Sequence, residues 1–295
     1  MNLLFTADNH FRYSQPICRK DDYVKTQKKK IRFINKTADQ YDATIINAGD
    51  VVDKDIIMSQ SEIVMTISFL IKNLKKQYGI AGNHDLLYRD FDNVHRSLIQ
   101  LLIASEKYVL IDKLTLGNAD IYGFNYGTSI EHKEKTNERM IAVYHGMVLP
   151  KENKIIKGKI AIDLLKEFPE YDVILTGDNH TTFVEEYENR FLINPGSLLR
   201  MDADQTYHNP CIFIYNTETH YYEKIYIPIG DDVISREHID SAVEREDRLY
   251  SFIEKFDNDF TVTLDFIQSM DNYIQENKIE TNVIKEIYEA LEKTV

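Results

Sequence analysis

Five short polar clusters each follow a run of apolar residues, and this arrangement constrains the fold more than any other feature of the sequence. The clusters are Asp8-Asn9-His10, Gly49-Asp50-Val51-Val52-Asp53, Gly82-Asn83-His84-Asp85, Tyr144-His145-Gly146 and Gly177-Asp178-Asn179-His180. In layered α/β folds, ligands collect at the carboxyl ends of the strands, where the connecting loops meet. If each apolar run is a strand, we expect the five clusters to converge on one functional site.

The spacing of apolar residues predicts an α/β domain over residues 1–230. Apolar positions on one helical face predict helices at residues 22–40, 61–76 and 93–105. Short apolar runs predict strands at residues 2–6, 43–47, 77–81, 108–111, 119–122, 140–144, 172–175, 183–186, 191–193, 211–215 and 223–227. Strands alternate with helices in the first half and cluster later, which is typical of a layered α/β domain.

Residues 231–295 differ from the rest of the chain in composition and charge. They contain 17 acidic and 7 basic residues, so they carry most of the net charge of −13, and they have no glycine or proline. Two apolar stripes predict helices there: Ile267, Met270 and Ile274, and Ile284, Ile287 and Leu291. This acidic helical region has two possible roles. It is either a pair of helices that packs on its own domain as a small cap, or a docking element for a partner helix or coiled coil.

The composition bounds the class of protein. A hydrophobic fraction of 43% is enough for a sizeable core. The first ten residues lack a basic region, and the longest apolar stretch, near residues 63–71, is far shorter than the ~20 residues of a membrane helix. Cys18 and Cys211 show no metal-type spacing. These features predict a soluble protein of a reducing compartment, the cytoplasm, with no membrane partner.

The side chains of the five clusters are of the kinds that bind metal ions. Carboxylate, imidazole and amide ligands together suit Mn²⁺, Fe or Zn²⁺ better than Ca²⁺ or a thiolate-bound metal. So many side chains exceed the needs of one ion, whereas two ions ~3.5–4 Å apart, bridged by a shared carboxylate, would use them all. We expect Asn83 to give its amide oxygen to a metal and His84 to face the substrate, while Gly82 permits a tight turn.

The order D-x-H, G-D-x-x-D, G-N-H-D, H and G-x-x-H resembles the calcineurin-like metallophosphoesterase superfamily over roughly residues 1–230. The resemblance implies a four-layer αββα sandwich of two mixed sheets, followed here by a short helical C-terminal extension. It also implies phosphoester hydrolysis by a water that two metal ions activate. Matched by position, the site residues are Asp8, His10 and His180 for the first ion, Asp50 as the bridge, Asn83, His145 and Asp178 for the second ion, and His84 as the catalytic general acid or transition-state stabiliser.

One position departs from the superfamily pattern. The last motif usually reads G-H-x-H, whereas this chain has Gly177-Asp178-Asn179-His180. An aspartate can still bind a metal, and its charge favours a hard ion such as Mn²⁺. We therefore expect Asp178 to be a direct ligand and both ions to be Mn²⁺. Binding through a water, or a weaker Lewis acid at the second site, are the alternatives.

Within the superfamily, secondary motifs resemble the Mre11/SbcD nuclease branch. The run GDVVDKD lacks the arginine of the protein phosphatase and dinucleotide tetraphosphatase branches. The segments IYGFNY at residues 121–126 and INPGS at residues 193–197 are similar to two segments of the nuclease branch. This resemblance implies a Mn²⁺-dependent DNA exonuclease or endonuclease of DNA repair and recombination. It further implies a homodimer and an SMC-like ATPase partner of the Rad50/SbcC type.

Two features leave the substrate open. The nuclease branch often has a sizeable DNA-capping domain, whereas the region after residue 230 is short and acidic here, and an acidic balance argues against non-specific nucleic-acid binding. DNA would then be held by the core, where the candidate phosphate contacts are Arg12, Arg19, Lys20 and Arg200. The alternatives are a phosphodiesterase or phosphatase for a small molecule or cyclic nucleotide, and a non-catalytic scaffold, which the retained His84 disfavours.

Overall fold

In the computed structural model the chain divides into two units, Met1–His238 and Ile239–Val295. The structure describes residues 1–53, 59–231, 233–237, 270, 273–274, 277 and 279–292. The first unit extends beyond residue 230 because residues 233–235 pair with an earlier segment. The Lys20 N–H donates to the Val233 carbonyl at 3.0 Å, and the Ser235 N–H donates to the Cys18 carbonyl at 2.7 Å.

Strands and helices alternate in the first half of the described chain. The strands are β1 (Asn2–Thr6), β2 (Ala43–Asn47), β3 (Gln77–Gly79), β4 (Tyr108–Leu110), β5 (Lys113–Leu116), β6 (Ala119–Phe124), β7 (Arg139–His145), β8 (Val148–Leu149), β9 (Lys159–Ile160), β10 (Val173–Gly177), β11 (Phe183–Tyr187), β12 (Arg190–Asn194), β13 (Cys211–Asn216) and β14 (Tyr221–Tyr226). The α-helices are α1 (Tyr23–Gln40), α2 (Gln60–Asn73), α3 (Ile99–Ala104), α4 (Ala161–Glu167) and α5 (Thr281–Glu292). Short 3₁₀ helices lie at Leu87–Arg89, Phe91–Arg96 and Ala203–Tyr207.

Most of the strands form two six-stranded mixed sheets. The first sheet has the order β14-β13-β1-β2-β3-β4, and the second has the order β11-β12-β10-β7-β6-β5. Strands β1 to β4 run parallel to one another, as do β12, β10, β7 and β6. The other strands of each sheet pair antiparallel at its edges. Strands β8 and β9 form a separate parallel pair.

The two sheets pack face to face, and helices cover their outer faces. Along β1, Leu3 enters the core between the sheets, whereas Leu4 packs in the cluster formed with α1, α2 and α3. Along β7, Val143 enters the same inter-sheet core, whereas Ala142 packs with α4. Successive side chains of a strand point to opposite faces, so such strands are buried on both sides. The predicted αββα sandwich of two mixed sheets is confirmed.

Sequence signals fix where the two longest helices of the first unit begin. The Asp22 carboxylate accepts a hydrogen bond from the Lys25 N–H at 2.9 Å and caps α1. A capping box between Ser59 and Glu62 opens α2. These side chains satisfy backbone N–H groups that the first helical turn leaves unpaired, which is why both helices begin close to the predicted residues.

The helix predicted over residues 93–105 is interrupted. The backbone of Ser97 is extended, with φ −92° and ψ 159°, so a 3₁₀ helix ends before it and α3 begins after it. The Ser97 hydroxyl accepts from the Leu87 N–H at 2.8 Å and donates to the Asn93 carbonyl at 2.7 Å. Side-chain hydrogen bonds of this kind compete with helix formation. The prediction of one continuous helix is therefore wrong, and the sequence does not predict strands β5, β8 and β9 or helix α4.

In the second unit the structure describes helix α5. This helix includes Ile284, Ile287 and Leu291, the second of the two apolar stripes predicted from the sequence. Ile267 of the first stripe lies outside the described residues. No helix in the described ranges combines the length and the hydropathy that crossing a membrane requires.

We expect the inter-sheet core to dominate the stability of the first unit. Ile121 on β6 is fully buried in that core, whereas Ile155 is 91% exposed. Replacing Ile121 by Ala should lower the free energy of unfolding by about 2–5 kcal/mol, because the change leaves a cavity. The same change at Ile155 should cost less than about 0.5 kcal/mol. Urea denaturation of both variants measures this, and equal effects would contradict the packing described above.

Candidate metal centre

The polar clusters lie directly beyond the carboxyl ends of five parallel strands. Strands β1, β2 and β3 of the first sheet lead into the first three clusters, and β7 and β10 of the second sheet carry the last two. The loops of the two sheets meet: the backbone N–H of Asp178 donates to Asp8 Oδ1 at 2.9 Å. The clusters therefore come together at one edge of the sandwich.

Four residues of these loops have left-handed backbone that side chains seldom adopt. The φ angles are 47° at Asp8, 46° at His10, 53° at Asp50 and 88° at Asp178. Backbone strain of this kind costs on the order of 1–3 kcal/mol per residue and concentrates at functional sites. The strained turns are held by hydrogen bonds, among them His10 N–H to the Asp50 carbonyl at 2.9 Å.

Two glycines allow the loops after β2 and β3 to approach His145. The φ angle of Gly49 is 95°, and a Cβ there would lie 2.6 Å from His145 Nδ1. A Cβ on Gly82 would overlap the Asp50 carboxylate and lie 2.6 Å from His145 Cε1. Only a residue without a side chain fits at either position.

Asp8, His10 and His180 form the first group of candidate ligands. One donor atom of each lies within 4.8 Å of the others. His10 and His180 point their Nε2 atoms toward each other across 3.1 Å. Asp8 and His10 are buried, and His180 is partly exposed. The structure thus brings together the three residues that the sequence assigns to the first ion.

Asp8, Asp50 and His145 form the second group of candidate ligands. His145 Nε2 lies 3.5 Å from Asp50 Oδ2 and 3.0 Å from Asn83 Oδ1. His145 Nδ1–H donates to the Ala48 carbonyl at 2.6 Å, which orients the ring so that Nε2 faces these oxygens. The sequence analysis places Asp8 at the first ion alone, whereas the structure includes it in both groups.

Asp50 lies between the two groups. Its Oδ2 is 3.6 Å from His10 Nε2 and 3.5 Å from His145 Nε2. Its Oδ1 accepts a hydrogen bond from the His84 backbone N–H at 2.8 Å, which fixes the carboxylate plane. The Asp50 carboxylate is therefore adjacent to an imidazole of each group.

The buried charges of the centre shift one another's pKa values. Burial disfavours the charged imidazoles, but the carboxylates of Asp53 and Asp50 raise the pKa of His10 to about 9, and Asp50 raises the pKa of His145 to about 10. Burial raises the pKa of Asp8 to about 6. Burial also opposes ionisation of Asp50, but His145 and His10 hold its pKa well below its usual range.

The centre fits divalent metal ions. Two buried atoms, Asp8 Oδ2 and His10 Nδ1, have no hydrogen-bond partner among the described residues, and buried polar atoms without a partner are rare. Burial and the nearby charge of His10 lower the pKa of His180 to about 4, which leaves this imidazole neutral and able to ligate. Carboxylates, imidazoles and an amide oxygen are the ligands of Mn²⁺, Fe and Zn²⁺.

His84, Asp53 and Arg12 form a hydrogen-bonded series beside the two groups. His84 Nδ1–H donates to Asp53 Oδ1 at 3.1 Å, and Arg12 Nη1 donates to Asp53 Oδ2 at 2.7 Å. Asp53 and His84 also form a third cluster with His10. Burial opposes ionisation of Asp53, but His10, His84 and Arg12 hold its pKa well below its usual range. Because Arg12 already neutralises Asp53, we assign this carboxylate to orienting His84.

Sequence reasoning did not assign a role to Asp53 or to Asp85. The second acid of G-D-x-x-D was the signal available for Asp53. Asp85 is fully buried, and its two oxygens accept hydrogen bonds from the Val52 N–H at 3.0 Å and the Gly82 N–H at 2.9 Å. Burial raises the pKa of Asp85 to about 7. This side chain ties the loop after β2 to the loop after β3.

Asp178 lies beside the centre without joining a ligand group. Its carboxylate belongs to none of the three His/Asp clusters found in the described part of the chain. Its side chain is partly exposed, and burial of the remainder raises its pKa. Its backbone N–H holds Asp8, as described above. Direct ligation by Asp178 stays a prediction.

The candidate DNA-phosphate contacts do not form one exposed basic patch. Arg19 is buried, and its guanidinium donates to the Asp21 carboxylate and, at 2.9 Å, to the Arg200 carbonyl. The Arg200 guanidinium is also buried and donates to two backbone carbonyls. Arg12 is occupied by Asp53, and Lys20 is exposed. Arg19 and Arg200 therefore stabilise loops in this structure. Their buried positions do not support a role in binding DNA phosphates at the surface.

The INPGS turn holds the loops of both sheets. The Ser197 N–H donates to the His180 carbonyl at 3.0 Å, and the Leu198 N–H donates to the Asp8 carbonyl at 3.1 Å. Gly196 has a φ of 73°, and a Cβ there would lie 2.6 Å from the His180 carbonyl oxygen. The turn thus connects one ligand loop of each sheet.

Two packed mixed sheets bring buried carboxylates and imidazoles together at their strand ends, and this donor set suits divalent metal ions. The sequence profile of the calcineurin-like phosphoesterase superfamily domain matches residues 1–220. The chain therefore belongs to the calcineurin-like phosphoesterase superfamily, whose members are hydrolases that use divalent metal ions. No curated protein sequence gives a significant match to the chain.

Solved structures resemble the chain over most of its length at low sequence identity. A novel archaeal phosphodiesterase is 17% identical with a TM-score of 0.41, and the match covers 77% of this chain and 100% of that one. Calcineurin-like phosphoesterase YfkN from Bacillus subtilis is 13% identical with a TM-score of 0.45, over 84% of this chain and 96% of its own. Phosphopantetheinyl hydrolase from Mycobacterium tuberculosis is 12% identical with a TM-score of 0.44, over 77% and 98%. Similarity at this level carries no information on the substrate.

We expect a divalent ion to stabilise the protein through the first ligand group. At a Mn²⁺ concentration of 100 Kd, binding to the folded state alone adds about 2.7 kcal/mol, which corresponds to a rise in Tm of about 5–10 °C. His180→Ala should lose most of this rise, whereas His95→Ala, an exposed control, should keep it. Thermal unfolding with Mn²⁺ and with chelator measures both. An equal rise in His180→Ala would place the ion elsewhere.

Metal affinity should increase with pH. The raised pKa values of His10, about 9, and His145, about 10, mean that both imidazoles carry protons at neutral pH in the metal-free protein. A metal must displace those protons, so affinity rises as the pH approaches these values and falls as the pH drops. Calorimetric titration with Mn²⁺ between about pH 6.5 and 8.5, in buffers of different ionisation enthalpy, should show proton release. Binding without proton release would contradict the charge states described above.

Proposed function

We propose that this phosphoesterase hydrolyses phosphodiester bonds in DNA with two divalent ions, Mn²⁺ being the favoured metal. The position of Asp50 is the observation that carries the proposal. Its Oδ2 lies within 3.6 Å of nitrogens of both His10 and His145, so one carboxylate can serve two ions. Bound ions would polarise the phosphoryl oxygens and lower the pKa of the attacking water.

We assign the candidate ligands to the two ions as the resemblance to the superfamily implies, with Asp178 as a further ligand of the second ion, whereas Asp8 lies in both groups of candidate ligands in the structure. Asp8, His10 and His180 would hold the first ion, and Asp50 would contact both. His145 and Asn83, whose Nε2 and Oδ1 atoms are 3.0 Å apart, would hold the second. In this arrangement each ion receives ligands from loops of both sheets. The ends of the strands must therefore be held in fixed positions relative to one another.

We propose His84 as the general acid. Its Nδ1–H is donated to Asp53, so Nε2 is the nitrogen left for the substrate. A proton on Nε2 would pass to the leaving oxygen as the bond from phosphorus to that oxygen breaks. Asp53, held by Arg12, keeps the His84 ring in one orientation. The His84 side chain is 31% exposed, which lets it contact a substrate at the surface.

The proposal that DNA is the substrate is supported by IYGFNY and INPGS, the two segments that are similar to the nuclease branch. Both contact loops that carry candidate ligands. The INPGS turn binds the His180 and Asp8 loops, as described above. In the IYGFNY segment, Asn125 Oδ1 accepts from the Ala81 N–H at 2.8 Å, and the Tyr126 N–H donates to the Ala81 carbonyl at 2.9 Å. Both segments therefore brace ligand loops. The homodimer and the SMC-like ATPase partner implied by the same resemblance stay predictions.

The proposal is tested by hydrolysis of end-labelled single- and double-stranded DNA with Mn²⁺. We expect wild-type protein to cleave DNA and His84→Ala to lower turnover by about 10²-fold or more, because general acid catalysis is lost. His95→Ala, which removes an exposed histidine outside the five polar clusters, should leave turnover unchanged.

Bis-p-nitrophenyl phosphate serves as a second substrate in the same assay. Turnover of this small diester that depends on His84, without cleavage of DNA, would support the small-molecule alternative. That alternative is favoured by the net charge of −13 and by the internal pairing of Arg19 and Arg200. Hydrolysis of neither substrate by the metal-loaded protein would refute the proposed activity.

A further inference from the structure

A cavity of about 430 Å³ opens beside His180. Its lining includes His180, Gln205, Tyr207, His208, Lys224 and Tyr226. The volume lies within the range of ligand pockets in proteins, about 300–1,000 Å³. Because His180 belongs to both the cavity and the first ligand group, a substrate phosphate at the metal centre would place the adjoining part of the substrate here.

Two tyrosines of the lining are unusually exposed. Tyr207, in the 3₁₀ helix Ala203–Tyr207, is 92% exposed, and Tyr226, at the end of β14, is 59% exposed. Large aromatic side chains lose favourable contacts when they stand in solvent, so exposed ones beside a catalytic centre indicate a ligand that covers them. Planar bases that stack on aromatic rings are such ligands.

The lining also supplies charge and hydrogen-bonding groups. Lys224 Nζ lies 4.9 Å from the centroid of the Tyr226 ring, so a cation stands beside an aromatic face. His208 Nε2–H donates to the Ser197 carbonyl at 2.7 Å, which leaves Nδ1 as an acceptor. Asp202 is the acidic side chain of the lining. Aromatic rings next to a lysine and neutral polar groups match a nucleotide, which combines a base, a sugar and a phosphate.

The wall that carries Tyr207 is fixed to the metal centre. Gln205 Nε2 donates to Ser197 Oγ at 3.1 Å, and Gln205 Oε1 accepts from the Met201 N–H at 2.7 Å. Ser197 in turn donates its backbone N–H to the His180 carbonyl at 3.0 Å. The cavity is therefore held in place before a ligand arrives, which lowers the entropic cost of binding.

We propose that this cavity binds the nucleotide next to the scissile phosphate, with its base stacked on Tyr207 and Tyr226 and a backbone phosphate beside Lys224. The inference rests on the proposed function, since it takes the substrate to be a nucleic-acid strand. A free nucleotide has the same chemistry, and the experiment below separates the two sources.

The test is binding of fluorescein-labelled oligothymidylate and of an abasic oligonucleotide of equal length, measured by anisotropy with chelator so that no cleavage occurs. Wild-type protein should bind the oligothymidylate about tenfold more tightly than the abasic strand, the equivalent of about 1.4 kcal/mol. Tyr207→Ala and Tyr226→Ala should each remove most of that difference. Lys224→Met should weaken binding of both strands and reduce the salt slope by about one.

Two control variants match the test variants in residue type and exposure but lie outside the cavity lining. Tyr221→Ala removes a tyrosine that is 67% exposed on β14 but does not line the cavity. Lys166→Met removes an exposed lysine that, like Lys224, lies over a tyrosine ring, with Nζ 5.4 Å from the centroid of Tyr187. Both controls should bind as wild type does. Thermal unfolding of all variants confirms that each is folded.

Three outcomes overturn the inference. Equal affinity of wild-type protein for the two strands, or unchanged affinity in both tyrosine variants, would show that bases do not occupy the cavity. Competition by thymidine 5′-monophosphate at the affinity of the oligothymidylate would show that the cavity takes a free nucleotide instead of a strand. We expect the mononucleotide to compete at least tenfold more weakly.

The binding assay is independent of the cleavage assay. Cleavage of DNA by wild-type protein together with base-independent binding would refute the cavity assignment and leave the proposed function intact. Base-dependent binding without cleavage in Mn²⁺ would support the cavity and refute the proposed activity.

Discussion

Opposite charges buried at the strand ends are the interaction on which the rest of this structure depends. Asp50 faces His10 and His145 within 3.6 Å, and each partner would be costly to bury alone. The charges can approach so closely because the turns at Asp8, His10 and Asp50 accept left-handed backbone and because Gly82 has no side chain. The two sheets act as the rigid support that fixes these turns, since β1, β2, β7 and β10, which lead into the polar clusters, are largely buried and cannot shift without disturbing a core.

The strand-end clusters and the layered fold could be predicted because both depend on local signals. An apolar run followed by a polar cluster indicates the end of a buried strand, and parallel topology brings such ends together. The break at Ser97 could not be predicted, because it depends on a hydrogen bond to Leu87 that only the folded chain provides. The same holds for Asp53, whose role is decided by Arg12, 41 residues away, and for Arg19 and Arg200, whose burial depends on which loops cover them.

One turn links three parts of the molecule that have different chemistry. The INPGS segment binds the His180 loop of the second sheet and, through Ser197, the wall of the cavity, and Leu198 directly after it binds the Asp8 loop of the first sheet. A displacement of this turn would therefore move candidate ligands from both sheets and the cavity wall together. The geometry of the metal centre and that of the cavity are therefore not independent. A substitution that displaces the turn at Gly196 would alter the positions of residues at both.

The pairing of β1 also determines at what stage of synthesis and folding the metal centre can form. Asp8 and His10 follow β1, and β1 pairs with β13, at residues 211–216, as well as with β2. The His180 loop and the turn that holds it are likewise translated late. Contacts of such long sequence separation form only after most of the first unit has been made, because the intervening chain must first be closed into a loop. The candidate ligands therefore come together only when most of the first unit has been made, and we expect a metal ion to bind the folded domain and not the nascent chain.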